Sequence, residues 1–297
     1  MGRLPILHAV TRSKATLTGA TAILLWSLLA LLTKGSEPVP PFLLNSLCFA
    51  IGGGIGLIWM GAKGELPRLR TIPLRVYAFG TIGLFGYHFL YFSALRMAPA
   101  AEAGLIAYLW PLFIVLLSGF LPGERLGPLH IIGALLAFAG AALIVLRGGA
   151  AFDPEALPGL ALAFLCAITW AVYSVASRRL GDVPTVAVVV YCLATAALSL
   201  PAHLMLETTV WPDATGWLAI IGLGIGPVGI AFYTWDVGMK RGDIQLLGVA
   251  SYAAPLLSTL ALIGAGFAVA TPALGLAALL ITIGAALAAR ASTVKSG

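Results

Sequence analysis

Aromatic residues, a histidine and several prolines stand inside long apolar runs of this sequence, where each needs a physical reason. Tyr108-Leu109-Trp110-Pro111-Leu112 is the first such group, and the pattern returns as Tyr252-Ala253-Ala254-Pro255-Leu256. A proline within a helix removes one backbone hydrogen bond and bends the helix. Because lipid offers no replacement partner, each break must face protein or a water-lined cavity. Two broken segments at matching places indicate a small-molecule site between them.

Three tryptophans and two tyrosines fall near the centres of apolar runs and are candidates to touch a substrate. Trp26, Trp110 and Trp170 either pack helices together or supply flat apolar walls with an N–H donor. Tyr87 and Tyr91 are one helical turn apart and share a face. Their hydroxyls either bind a substrate or bond within the core.

Polar and helix-breaking residues complete the candidate set. His88 is placed near the middle of its run, where an ionisable group is costly and indicates function by default; it either binds a substrate or responds to protons, or it pairs with a neighbour for packing. Ser251 precedes Tyr252 beside the second break, where its hydroxyl or a carbonyl freed by Pro255 is available to an ammonium or carboxylate group. Pro227 lies in a glycine-rich stretch that resembles a hinge.

The composition limits the class of protein that can hold these residues. Of 297 residues, 60% are hydrophobic and only 9% are charged, whereas soluble domains carry about 25% charged residues. The sequence therefore predicts an all-α polytopic membrane protein. Cys48, Cys166 and Cys192 lie in apolar runs, which argues against disulfides or a zinc site.

Ten apolar runs are each close to the ~20 residues that span the hydrocarbon core of a bilayer. The predicted helices are 15–34, 40–61, 73–95, 100–120, 128–146, 156–178, 184–206, 216–238, 243–267 and 271–290. The gaps leave no room for a soluble domain, and no phosphate-binding G-x-x-x-x-G-K-[ST] loop occurs. The sequence predicts no ATP motor, cofactor or metal site.

The basic residues predict the orientation of the helices. Most of them fall on one side: Arg3, Arg12, Lys14, Lys63, Arg68, Arg70, Arg75, Arg125, Arg178, Arg179, Lys240, Arg241, Arg290 and Lys295. The other side holds Lys34, Arg96 and Arg147. Because basic loops stay in the cytoplasm, we expect both termini there, with the first run kept as a signal-anchor helix. This one-sided distribution also explains the net positive charge without nucleic-acid binding.

The chain is predicted to be a duplication. Trp26 and Trp170 are 144 positions apart, and so are Tyr108 and Tyr252, and Pro111 and Pro255. The first repeat covers about 15–147 and the second about 156–290, with five crossings in each. An odd number of crossings inserts the second repeat upside down. Inverted repeats hold substrate near the bilayer midplane, at the interface between the halves.

These features resemble a known family. The aromatic–proline signature in the fourth and ninth runs, the turn Gly123-Glu124-Arg125-Leu126 and the paired tryptophans resemble the drug/metabolite transporter superfamily, EamA type. The resemblance covers nearly the whole chain. It implies a plasma-membrane carrier that exports amino acids from the cytoplasm without ATP, in a bacterial inner membrane.

The expected function is export of aromatic and other apolar amino acids across the plasma membrane by alternating access. Because acids are scarce near the midplane, we expect uncoupled facilitated diffusion. The alternative is a proton-coupled exporter of drugs or other metabolites. An intramembrane enzyme is disfavoured, because no H-E-x-x-H motif or poised serine–histidine pair is evident. The expected partners are the amino-acid substrate and lipid, and the chain is expected to be a monomer or a weak homodimer.

Overall fold

The computed structural model describes residues 11–146 and 154–293, which are helical with no strand among them. Arg3, Arg147 and Lys295 lie outside these residues, as does the last position of the predicted first repeat. Ten helices are long and apolar enough to cross a membrane in the described ranges. They are α1 (Arg12–Gly35), α2 (Pro41–Lys63), α3 (Leu74–Met97), α4 (Ala100–Ser118), α5 (Pro128–Val145), α6 (Pro154–Leu180), α7 (Ala187–Leu206), α8 (Ala214–Arg241), α9 (Ile244–Gly264) and α10 (Pro272–Ser292). The predicted ten-helix architecture is confirmed.

Four of these helices are interrupted near their middle. α4 stops at Ala107 and restarts at Trp110, and α9 stops at Ala250 and restarts at Ala253. Pro111 lies one residue after the first restart and Pro255 two residues after the second. A proline ring clashes with the carbonyl four positions earlier, so an unbroken helix cannot form there. α1 breaks after Trp26. In α8 the stretch Gly226–Ile230 is π-helical, a local widening that is frequent at functional sites.

The pattern of helix pairs is unchanged when the two halves of the chain are interchanged. α3 packs on α6 and α1 packs on α8, and these two pairs are equivalent when the halves are interchanged. The pairs α2 with α7, α4 with α9 and α5 with α10 each map onto themselves. Such pairing is what a pseudo-two-fold relation between two repeats produces.

Glycines set the closest approaches between helices. A Cβ on Gly19 of α1 would lie 2.8 Å from the Cα of Gly238 in α8, so both backbones need the missing side chains. A Cβ on Gly133 of α5 would lie 2.5 Å from the carbonyl oxygen of Gly284 in α10. Small residues allow such close packing in membranes. The small-residue rows of α5 and α10 therefore face each other within the chain.

Alternating helix directions define two ends of the molecule. The Arg12 end carries the start of α1, and the Glu37 end carries the loop between α1 and α2. Ion pairs from Arg12 to Glu124 and Asp243 gather the loop after α4 and the start of α9 at the Arg12 end. The two ends differ in how open they are, and this difference positions the candidate site.

Candidate functional site

A cavity of about 630 Å³ lies between the two repeats. Its walls come mainly from α1, α2, α3 and the first half of α4 on one side, and from α8 and α9 on the other. It extends from the tryptophans in the middle of the molecule to Glu37, whose side chain is 62% exposed. The volume falls within the ~300–1,000 Å³ typical of small-molecule sites.

The cavity brings together most of the site residues predicted from the sequence. These are Trp26, Tyr87, His88, Tyr91, Trp110, Trp170, Pro227 and Pro255. Pro111, Ser251 and Tyr252 are not among the described residues that line it. The Ser251 hydroxyl donates to the Leu247 carbonyl at 2.7 Å. A role for Ser251 and Tyr252 toward a substrate stays a prediction.

Three tryptophans line the floor of the cavity and close it toward the Arg12 end, and the buried Trp235 packs against them. The ring centroids of Trp26, Trp110, Trp170 and Trp235 lie between 5.0 and 6.4 Å apart in every pair. Most of these pairs meet edge to face or tilted, the arrangement that aromatic rings prefer. Trp26 and Trp110 come from the first repeat, and Trp170 and Trp235 come from the second. The floor therefore joins the two halves near the middle of the membrane.

The indole N–H groups of this floor divide into two kinds. Trp26 donates to the Pro227 carbonyl at 3.0 Å, which is an acceptor within the π-helical turn of α8. Trp235 donates to the Ser174 hydroxyl at 3.1 Å. The N–H groups of Trp110 and Trp170 have no hydrogen-bond partner among residues 11–146 and 154–293. These two donors are available to a molecule in the cavity.

One face of α3 forms a side wall of the cavity. Tyr87 and Tyr91 stack with an interplanar angle of 2°, and Tyr87 also contacts Trp170 at 5.2 Å between centroids. Within the described part of the chain, neither hydroxyl has a hydrogen-bond partner. The wall is thus apolar in its body and carries polar groups at its edge.

His88 on the same helix has a defined tautomer when neutral. Its Nδ1 lies 2.7 Å from the Leu84 carbonyl oxygen. A carbonyl only accepts, so Nδ1 carries the hydrogen and Nε2 is left as an acceptor. The ring is enclosed by Phe49 at 5.0 Å and Phe232 at 6.1 Å. His88 therefore offers the cavity one acceptor in apolar surroundings.

The two broken helices use their tyrosines differently. The Tyr252 hydroxyl accepts from the Leu112 backbone N–H at 3.1 Å, which satisfies a donor left free at the restart of α4. Its repeat equivalent, Tyr108, lines the cavity. The Tyr108 hydroxyl has no hydrogen-bond partner in the part of the chain that the structure describes. Tyr252 thus stabilises the break in α4, whereas Tyr108 faces the cavity.

Comparison with protein-family models matches this chain twice, over residues 13–146 and 157–290, to the description "EamA-like transporter family". Each match contains five of the ten helices. The chain belongs to the EamA-like transporter family. The resemblance noted from the sequence is confirmed, and the protein is a multi-pass membrane transporter rather than an enzyme.

Individual relatives of this EamA-like transporter are exporters. The aromatic amino acid exporter YddG of Ancylobacter novellus is 58% identical over 281 residues, which cover 94% of this chain and 98% of that protein. The protein of the same name in Escherichia coli is 26% identical, with 84% and 88% of the two chains covered. A solved crystal structure with 59% identity superposes with a TM-score of 0.90 and covers 94% of this chain and 98% of its own.

Part of the aromatic floor and wall of this EamA-like transporter was not predicted from its sequence. Trp235 completes the tryptophan cluster, and Phe232 contacts Trp170 at 5.7 Å. Tyr108 was noted as part of a helix break but not as a site residue. Trp235 lies 144 positions after Tyr91. The repeat offset, applied to aromatic residues of any type, therefore predicts Trp235 as a candidate.

Proposed function

We propose that this chain is an inner-membrane exporter of aromatic and other apolar amino acids. The carrying observation is the cavity whose walls are aromatic and whose free polar groups are mostly donors. Its 58% identical relative, named as an aromatic amino acid exporter, supports the same substrate class.

The free donors suit the polar end of an amino acid. The N–H groups of Trp110 and Trp170 and the hydroxyls of Tyr87, Tyr91 and Tyr108 are placed to bond a carboxylate, and hydrogen bonds to a charged acceptor are about twice as strong as neutral ones. The Nε2 of His88 is an acceptor for the ammonium group. Ring faces in the same cavity accept an apolar or aromatic side chain. Binding then requires no charged protein group near the floor.

We place the Arg12 end in the cytoplasm, because most lysines and arginines lie at that end. The cavity then opens to the outside, with the tryptophan floor closing the route from the cytoplasm. Export requires a second state in which the repeats separate at the Arg12 end and close at the Glu37 end. Pro111, Pro255 and Pro227 mark the broken helices that are suited to this rearrangement.

We propose facilitated diffusion rather than coupling to an ion. Among the described lining residues the one carboxylate is Glu37, and it lies at the rim, 2.6 Å from Lys34. Carriers driven by protons place acids or histidines along the path, so His88 is the remaining group on which coupling would depend.

Purified protein in proteoliposomes tests both parts of the proposal. Vesicles loaded with labelled tryptophan, phenylalanine, leucine or lysine are diluted into buffer with and without a pH gradient. We expect release of the apolar amino acids down their gradient, with lysine slow and the pH gradient without effect. Lack of flux for every amino acid would refute the substrate class. Accumulation against a gradient driven by protons would refute facilitated diffusion and favour the proton-coupled alternative.

A further inference from the structure

Four charged side chains form a compact cluster at the Arg12 end, which we call the charged latch: Arg12, Glu124, Arg178 and Asp243. The Nη2 of Arg12 lies 3.3 Å from Oε2 of Glu124 and 3.4 Å from Oδ2 of Asp243. The Nη1 of Arg178 lies 3.4 Å from the other carboxylate oxygen of Glu124. The side chains of Glu124 and Asp243 are only 6% and 10% exposed. The carboxylates are therefore shielded from solvent, whereas the side chain of Arg12 is 49% exposed.

The charged latch ties the two repeats together. Glu124 lies in the first matched segment and Arg178 and Asp243 lie in the second, whereas Arg12 stands at the start of α1, one residue before the first segment. Two of the three ion pairs cross between repeats, and the Asp243 backbone N–H also crosses to the Thr16 hydroxyl at 2.8 Å. Separating the halves at this end would break two charge-assisted contacts and one further hydrogen bond between the repeats, and only the water that enters would replace them, which opposes opening.

At the four described positions that are equivalent by the repeat offset, the opposite end lacks the residues of the charged latch. Shifting each position by the repeat offset of 144 gives Ala156, Ala268, Lys34 and Pro99 in place of Arg12, Glu124, Arg178 and Asp243. Lys34 is the charged member of that set, and it pairs with Glu37 three residues along within the first repeat. If each repeat adopted the conformation of the other, the Glu37 end would close. The equivalent residues would then form no ion pairs between the repeats like those of the charged latch. The state closed at the Arg12 end therefore has cross-repeat ion pairs that the state closed at the Glu37 end lacks, and we expect the first state to be the more stable.

We propose that the charged latch holds the resting carrier closed to the cytoplasm and so sets the internal amino-acid concentration at which export begins. The inference rests on the proposed function and orientation. When the state that accepts internal substrate is only a small fraction of the population, the apparent dissociation constant rises by the inverse of that fraction. Export then stays slow at low internal concentration and increases as the amino acid accumulates.

Conservative variants remove the charges while keeping local structure. Glu124→Gln preserves side-chain size. Asp243→Asn keeps the cap of α9, in which the Asp243 side chain accepts from the Leu246 N–H at 2.9 Å, because asparagine caps helices as well as aspartate does. Glu65→Gln is the matched control, since it removes an ion pair to Arg68 at 2.8 Å at the same end but within one repeat. Melting temperatures in detergent show whether each variant is folded.

The chain supplies a reporter for opening that needs no substrate. Cys192 is fully buried and is the repeat equivalent of Cys48, which lines the cavity. In a Cys48→Ala, Cys166→Ala background, inside-out vesicles are treated with a small membrane-impermeant methanethiosulfonate. We expect Cys192 to react about tenfold faster in Glu124→Gln and Asp243→Asn than in the parent or in Glu65→Gln. Ser118→Cys, buried at the position equivalent to cavity-lining Leu262, is a second reporter in a background without the native cysteines.

Equal labelling rates at both reporters, with normal melting temperatures, would overturn the proposal. The transport arm measures the apparent KM from each face of the membrane. We expect the latch variants to lower the cytoplasmic KM several-fold and to raise the external KM. Unchanged KM values on both faces would also overturn it. Because labelling requires no transport, a failure of the amino-acid assignment is distinguishable from a failure of the latch.

Discussion

At the scale of single residues, duplicated tryptophans have separate tasks. Trp26 bonds the Pro227 carbonyl, whereas the N–H of its repeat equivalent Trp170 is free toward the cavity. Trp170→Phe keeps an aromatic ring but removes the donor and part of the ring volume, and we expect KM for aromatic amino acids to rise about tenfold, as for loss of a hydrogen bond to a charged group. The melting temperature should fall less than it does for Trp26→Phe, because no internal hydrogen bond is lost. Proteoliposome kinetics and a thermal-shift measurement check both expectations.

Trp26→Phe is the control for that prediction and has the opposite signature. It leaves a buried carbonyl of the π-helical turn without its donor, a loss of about 1–3 kcal/mol in stability. We expect a lower melting temperature with a smaller change in KM. If Trp170→Phe lowers the melting temperature and leaves KM alone, its N–H is not a substrate donor.

At the scale of helices, the break in α4 depends on a side chain from α9. The Tyr252 hydroxyl accepts from the Leu112 N–H, and the Tyr252 side chain is fully buried. Tyr252→Phe should cost about 1–3 kcal/mol, because the freed N–H loses its acceptor inside the protein. Tyr108→Phe, the same change at the equivalent position, should leave the melting temperature in place and weaken transport. Equal melting temperatures for the two variants would show that Tyr252 does not fasten the break.

The sequence predicts the positions of the helices, but it does not predict which of two repeat-equivalent residues faces the cavity. Hydropathy and proline position are local properties, so the ten crossings, the repeat offset and the breaks near Pro111 and Pro255 were readable in advance. The partner of the Tyr252 hydroxyl is 140 residues away, and only the packing of the two repeats brings it near. The same holds for Trp235, which reaches the floor because α8 packs against α1. Symmetry in the sequence therefore indicated the residues of the candidate site but not which of two equivalent residues faces the cavity.

At the scale of the whole molecule, the helices are arranged symmetrically, but the cavity and the ion pairs are not. Helix pairing is preserved when the repeats are exchanged, yet the cavity lies toward one end and the charged latch at the other. In the proposed mechanism, exchange between the two states converts an end closed by ion pairs into an open one. Which face of the membrane the charged latch closes depends on which end of the molecule lies in the cytoplasm.

Labelling from each side of the membrane tests that orientation directly. In a chain with Cys48, Cys166 and Cys192 replaced by alanine, a single cysteine is introduced by Glu37→Cys or by Lys63→Cys, both at exposed positions at opposite ends. Because the basic residues gather at the Arg12 end, we expect an impermeant maleimide to label Glu37→Cys in intact cells and Lys63→Cys only in inside-out vesicles. The reverse pattern would open the cavity to the cytoplasm. The charged latch would then close the outer face, and its removal would lower the external KM instead of the cytoplasmic one.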